Sequence, residues 1–148
     1  MQGLKTSVHY ANIIEMTEVN VMDKICGKLN ELPLANENNF IPNSDKRIVF
    51  GPTNGLWDDY VMRSFTLHPG AGVEGKPHKH PWNHWMIVLS GNGKFELNGE
   101  AHPMEGGMWI CIPKRAMHRF YNDGTEDLVF LCIVPPEGDI NPTKQAGC

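Results

Sequence analysis

A chain of 148 residues, 41% hydrophobic and 20% charged, has enough apolar material for one packed domain and too little charge for wholesale disorder. Its 17 acidic against 13 basic residues leave a net charge of −4, which carries no electrostatic footprint for nucleic acid. No apolar run reaches the roughly 18 residues of a membrane span, and 15 glycines with 11 prolines require many turns, hence short strands rather than long helices.

The opening residues Met1 to Thr6 lack the apolar stretch of a secretory signal. Tyr10 to Met22 carries β-branched residues without a clean period, and a short helix is expected over Asp23 to Leu32, ended by Pro33. Ala35 to Asp45 is asparagine-rich loop. Residues 1–46 are therefore expected to form an arm that packs on the domain or on a neighbouring subunit. From Arg47 the texture is all-β. Strands are expected at Arg47–Phe50, Trp57–Leu67, Lys76–His80, His84–Leu89, Gly93–Leu97, His102–Met104, Met108–Ile112, His118–Tyr121 and Leu128–Val134. Glycine and asparagine turns separate them, among them Asn98-Gly99, a two-residue hairpin signal of type I′. Short strands at this spacing read as a sandwich or barrel over 47–136, with 137–148 as a tail. Cys26, Cys111, Cys132 and Cys148 show no Cys-x-x-Cys spacing, and Cys111 and Cys132 sit in apolar runs as small buried hydrophobes. A reducing cytoplasm is the expected compartment.

Histidines supply the chemistry. On a strand alternate side chains share a face, so His78 and His80 can reach one cation while Lys79 points away. His84 opens the next strand after a turn forced by Pro81, sharing its face with Met86 and Val88, with Trp85 on the other. His118 must arrive from a distant strand. Any one of these alone reads as a structural histidine; their joint spacing reads as a metal site.

These residues resemble the two motifs of the cupin superfamily. The first runs glycine, five residues, His-x-His, three or four residues, glutamate, six residues, glycine. Gly72, His78, His80, His84 and Gly91 reproduce every spacing, with His84 in place of the glutamate. In the second, Gly107, Pro113, His118 and Asn122 match, while Arg115 stands where an inner glycine is expected. His80-Pro81-Trp82-Asn83-His84 is similar to a four-histidine branch of that superfamily. The resemblance implies a double-stranded β-helix, or jelly-roll barrel, with an N-terminal arm. It further implies one divalent transition metal ion (Fe, Mn, Zn, Ni or Cu) on His78, His80, His84 and His118. Pairing as a homodimer by exchange of N-terminal strands is also implied.

Four neutral imidazoles leave the full +2 charge on such an ion, making it more Lewis acidic than a site with a carboxylate. No general base is evident, and Glu74, nearest in sequence, reads as a solvated turn residue. Phe65, Met86, Trp109, Phe120 and Cys132, with Tyr60 and Phe130, are candidates to line a substrate pocket or to be plain core. Arg63, Lys76, Lys79, Lys114, Arg115 and Arg119 read as outward strand residues, or as cations at the mouth that attract an anionic small molecule. His9, His68 and His102 fall outside the motif spacings. The function tested first on this reading is dioxygenase-like oxidative cleavage of an enolic or phenolic substrate. The alternatives are a Lewis-acid isomerase, lyase or cyclase, and a non-catalytic binding or sensing module.

Overall fold

The computed structural model describes residues 25–139, within which eight strands form two sheets. They are β1 (Ser44–Phe50), β2 (Val61–Leu67), β3 (His84–Ser90), β4 (Asn92–Leu97), β5 (Glu100–Glu105), β6 (Trp109–Ile112), β7 (His118–Tyr121) and β8 (Leu128–Val134). The larger sheet has the order β1-β2-β8-β3-β6 and the smaller β5-β4-β7, with every pairing antiparallel. The expected jelly-roll barrel is thus the architecture observed. Among the described residues no helix is long and apolar enough to cross a membrane.

Strict alternation builds the core. Burial along β8 runs in-and-partly-out at every step, so Leu128, Phe130, Cys132 and Val134 point inward. Val61, Phe65 and Leu67 from β2, Met86 and Val88 from β3, and Ile110 and Ile112 from β6 complete that layer. Phe120 of β7 meets Phe130 of β8 at 5.7 Å between ring centroids, closing one sheet on the other. The Asn98-Gly99 turn has φ of 49° and 86°, the two positive values of the expected type I′ hairpin.

Four expectations are corrected. The helix over Asp23 to Leu32 is only a 3₁₀ turn at Leu29–Glu31 within the described residues, because Gly27 and Pro33 leave too few residues between them to nucleate more. Lys76–His80 is not a strand: Pro77 and Pro81 cannot donate to a ladder, and only an isolated bridge from His78 to His118 survives. Cys111 is exposed, since it alternates with the buried Ile110 and Ile112. The first strand begins at Ser44, ahead of the anticipated Arg47. Most of the anticipated N-terminal arm lies outside the described residues.

The barrel also encloses charge. Lys46 and Arg63 are each 1% exposed, and both approach the same carboxylate oxygen of Asp139, at 2.6 and 3.6 Å. Arg63, read from sequence as outward or at the mouth, lies inside because β2 alternation gives it the face of Val61, Phe65 and Leu67. Its guanidinium sits 5.2 Å from the Phe65 ring centroid.

Candidate metal centre

The bridge between residues 78 and 118 brings the first two histidines together. The His78 N–H donates to the His118 carbonyl at 2.9 Å, and the His118 N–H returns to the His78 carbonyl at 2.8 Å. Their rings then lie 4.6 Å apart, and the His80 ring follows at 4.9 Å from His78 and 5.3 Å from His118. Two further bonds hold the loops: Arg115 N–H donates to the His80 carbonyl at 2.6 Å, and Lys114 N–H to Asn83 Oδ1 at 2.8 Å. Trp82 lies flat on the His80 ring, at 5.0 Å and 5°.

One ring atom from each of His78, His80 and His118 falls within 4.8 Å of the others. Nitrogens bound at about 2.1 Å to one ion stand about 3.0–4.2 Å apart, so the three rings must draw somewhat closer to share a cation. His84, buried on β3, adjoins this trio with its ring 5.1 Å from His80 and 4.9 Å from His118, without being one of the three.

Orientation of the rings fits a metal. A carbonyl only accepts, so His118 Nδ1 donates to the Ala116 carbonyl at 2.8 Å and Nε2 keeps its lone pair. His84 Nδ1 lies 3.3 Å from Cys132 Sγ, and Arg63 donates to the same sulfur at 3.1 Å. His78 has a backbone hydrogen bond with Lys76. Such outer contacts select the tautomer and aim the other nitrogen inward.

Electrostatics points the same way. Burial is the main cause lowering all four imidazoles, His78 to about 4 and His80 to about 3, with His118 lowered and His84 well below the usual range. Neighbouring histidines add to the effect for His78, and with Arg63 for His80 and His84. At neutral pH all four are uncharged donors, the form a metal needs.

The remaining expected residues divide. Phe65, Met86, Phe120 and Cys132 are buried inside the barrel, and the His118 and Phe120 rings approach to 5.6 Å. Trp109 is not a pocket residue: it is 79% exposed on the outer face, because Ile110 and Ile112 take the inner positions of β6. Tyr60 sits against Trp57 and the outward Trp85. Asn122, the last residue of the second motif, is fully buried and donates to the Leu67 and Glu126 carbonyls at 2.8 and 2.7 Å, a structural role. Arg119 pairs with Glu96 at 2.9 Å and donates to the Val73 and Gly75 carbonyls, so it pins a loop. Beside His78 opens a cavity of about 270 Å³, walled by Phe40, Ile41, Pro42 and Phe120, with Lys76 and Arg119 at its edge. Sequence reasoning missed Phe40, Ile41 and Pro42, which carry no motif, and Asp139, which pairs with Arg63 only through the fold.

A protein-family model described as "Cupin domain" matches residues 63–134. Protein SchB of Streptomyces halstedii is 30% identical over 100 residues, spanning 65% of this chain and 71% of that protein. Among solved structures, the polyketide cyclase RemF from Streptomyces resistomycificus superposes with a TM-score of 0.66 at 22% identity, covering 74% of this chain and 78% of that one. A predicted oxalate decarboxylase from Thermotoga maritima gives 0.54 at 22% identity, covering 62% and 79%. At these identities the structural likenesses establish a shared fold.

Proposed function

The chain belongs to the cupin superfamily, and from that premise we propose that it is a metal-dependent enzyme acting on a small enolic or phenolic molecule, by redox-neutral chemistry such as cyclisation. The observation that carries this reading is the convergence of three neutral imidazoles, His80 and His118 buried and His78 half-buried, within 4.8 Å of one another. His78, His80 and His118 would hold a divalent ion, with His84 as the fourth donor. When bound, that ion supplies Lewis acidity to a substrate oxygen.

An all-histidine donor set leaves the ion its full +2 charge and disfavours the trivalent state. This supports redox-neutral chemistry ahead of oxidative cleavage, and RemF, of the same fold, is a polyketide cyclase. The chain's own residues account for binding. Phe40, Ile41, Pro42 and Phe120 exclude water from one flank of a flat, apolar substrate, and a cavity of about 270 Å³ suits a molecule of a few rings. Lys76, exposed at that edge, attracts an enolate, phenolate or carboxylate.

The test is reconstitution of the full-length protein with Fe, Mn, Zn, Ni or Cu, read by elemental analysis and thermal unfolding. One equivalent bound, with stabilisation of about 2.7 kcal/mol at a hundredfold excess over Kd, is expected. Substitution of His78, His80 or His118 by alanine should abolish both. Turnover of polyketone or phenolic substrates that continues without oxygen supports the reaction class, whereas obligatory oxygen uptake would transfer the site to oxidative cleavage. Stabilisation with no turnover would leave a binding module, and failure to bind any metal would remove the proposal.

A further inference from the structure

Beyond β8 the chain makes a 3₁₀ turn at Pro136–Gly138, followed by Asp139. Two consecutive residues there reach toward the histidine cluster by separate routes. Gly138 lies against Trp82: a Cβ at this position would stand 3.0 Å from the indole nitrogen and 2.9 Å from the Val134 Cβ. Trp82 in turn stacks on the His80 ring. Among the described residues the buried indole N–H has no hydrogen-bond partner, so packing sets where the ring lies.

Asp139 takes the other route. Its carboxylate lies 3.6 Å from Arg63 Nη1, while Nη2 of the same guanidinium donates to Cys132 Sγ at 3.1 Å. That sulfur is 3.3 Å from His84 Nδ1. Arg63, Cys132 and His84 are each at most 1% exposed. A guanidinium is a rigid plane, so a carboxylate at one of its nitrogens fixes where the other points. Lys46, 2.6 Å from the same carboxylate oxygen, ties that oxygen to β1.

We infer that the Pro136–Gly138 turn with Asp139 is a positioning device for the metal centre, acting on His80 through Trp82 and on His84 through Arg63 and Cys132. This rests on the metal reading above. A shared cation demands that its donors be held to about half an ångström, and contacts behind the ligands supply that restraint. His78 and His118 are aligned by their own backbone bridge, so those two rings stay placed when the turn is released. The turn therefore governs the other half of the donor set. Coupling of this kind is reciprocal: if the docked turn raises metal affinity, bound metal holds the turn docked by the same factor.

The experiment titrates cobalt(II) into the full-length protein against a chelator, wild type beside Gly138→Ala, Asp139→Asn and Gly91→Ala. The first two perturb the turn. The third strains the barrel against the Asp127 carbonyl, at the opposite end of β8. Affinity lowered about tenfold in each turn variant, with altered visible absorption of the bound cobalt and neither change in Gly91→Ala, supports the inference. Equal losses in all three variants overturn it, since general destabilisation then suffices. Wild-type affinity and absorption in both turn variants also overturn it, while leaving the metal centre standing. A wild type that takes up no divalent metal removes the metal reading itself, and this coupling with it. Should the turn variants not fold, hydrogen exchange in the wild type decides. The Gly138 and Asp139 amides, bonded to the Pro135 and Pro136 carbonyls at 2.9 and 3.1 Å, should exchange about tenfold more slowly with metal bound. Rates that metal leaves unchanged refute the coupling.

Discussion

Replacing Asp139 with asparagine isolates the buried charge. Lys46 Nζ stands 2.6 Å from Asp139 Oδ1 and also donates to the Asn38 carbonyl at 3.0 Å, while Arg63 shares the carboxylate at 3.6 Å. Asparagine keeps the shape and an acceptor oxygen but removes the charge. Deleting one member of a buried ion pair costs about 3–5 kcal/mol, because the partner remains desolvated. Lys46 can limit the loss by giving up its proton. Taking a lysine from its ordinary 10.5 down to about pH 7 costs about 4.8 kcal/mol at 1.36 kcal/mol per unit, which sets the ceiling. We expect about 3 kcal/mol, since the Asn38 contact survives, or a midpoint lowered by about 10 °C for a chain of this size. Burial already holds Lys46 below its ordinary value, with Asp139 opposing. For a base depressed in the folded state, the unfolded chain binds more protons between the two values, so stability rises with pH across that window. The variant depresses Lys46 further, hence its deficit should be greatest near neutrality and shrink as pH rises toward about 9. Urea unfolding of both proteins across that range is the assay. A deficit below about 0.5 kcal/mol at neutral pH, or one that widens with alkali, would refute the reasoning.

Other perturbations follow from local geometry. Gly91 and Gly107 both have positive φ, 81° and 93°, but a Cβ on Gly91 runs into the Asp127 carbonyl oxygen while Gly107 has open space. Gly107→Ala should cost about 1 kcal/mol and Gly91→Ala about 3 or more by urea unfolding; equal losses would show that conformation alone matters there. Arg115 occupies its motif-glycine position at φ 66°, so Arg115→Asn should be near neutral while Arg115→Val loses about 1–2 kcal/mol of thermal stability. Cys132→Ala removes the group beside His84 Nδ1. If His84 is the fourth ligand, metal affinity by competition with a chelator should fall about tenfold with the fold retained, and unchanged affinity would leave the trio alone.

What the sequence disclosed depended on whether the information was local. His78, His80 and His118 carry fixed spacings to glycines whose positive φ is a backbone demand, so the motif could be read in advance, whereas the strand expected to carry His78 and His80 is a loop between Pro77 and Pro81. Trp109 was misplaced because Trp109, Ile110, Cys111 and Ile112 are all apolar, and alternation has no phase when both faces are hydrophobic. Arg63 shows the converse. Val61, Phe65 and Leu67 set an inward phase for β2 that includes Arg63, but the charge argued for solvent, and the compensating Asp139 sits in a tail with no sequence sign of its destination. The cavity beside His78 was equally hidden, since Phe40, Ile41 and Pro42 reach it from an asparagine-rich loop.

Strand β3 ties the metal centre to the outer face. One residue apart, His84 enters the barrel at 1% exposure and Trp85 leaves it at 39%, so the register that aims the imidazole also aims the indole. A slip of one residue against β8 would exchange them, placing a tryptophan among the histidines and an imidazole on the apolar face. Both neighbours oppose that slip: β8 pairs Trp85 with Ile133 and Met86 with Cys132, and β6 pairs His84 with Ile112. The irregularity between Val88 and Ser90 absorbs the mismatch only after these contacts are made, just before Gly91 turns the chain. Packing of hydrophobic side chains on the two faces of a single strand therefore fixes the position of a polar ligand, with no hydrogen bond to the ring required to choose its side of the sheet.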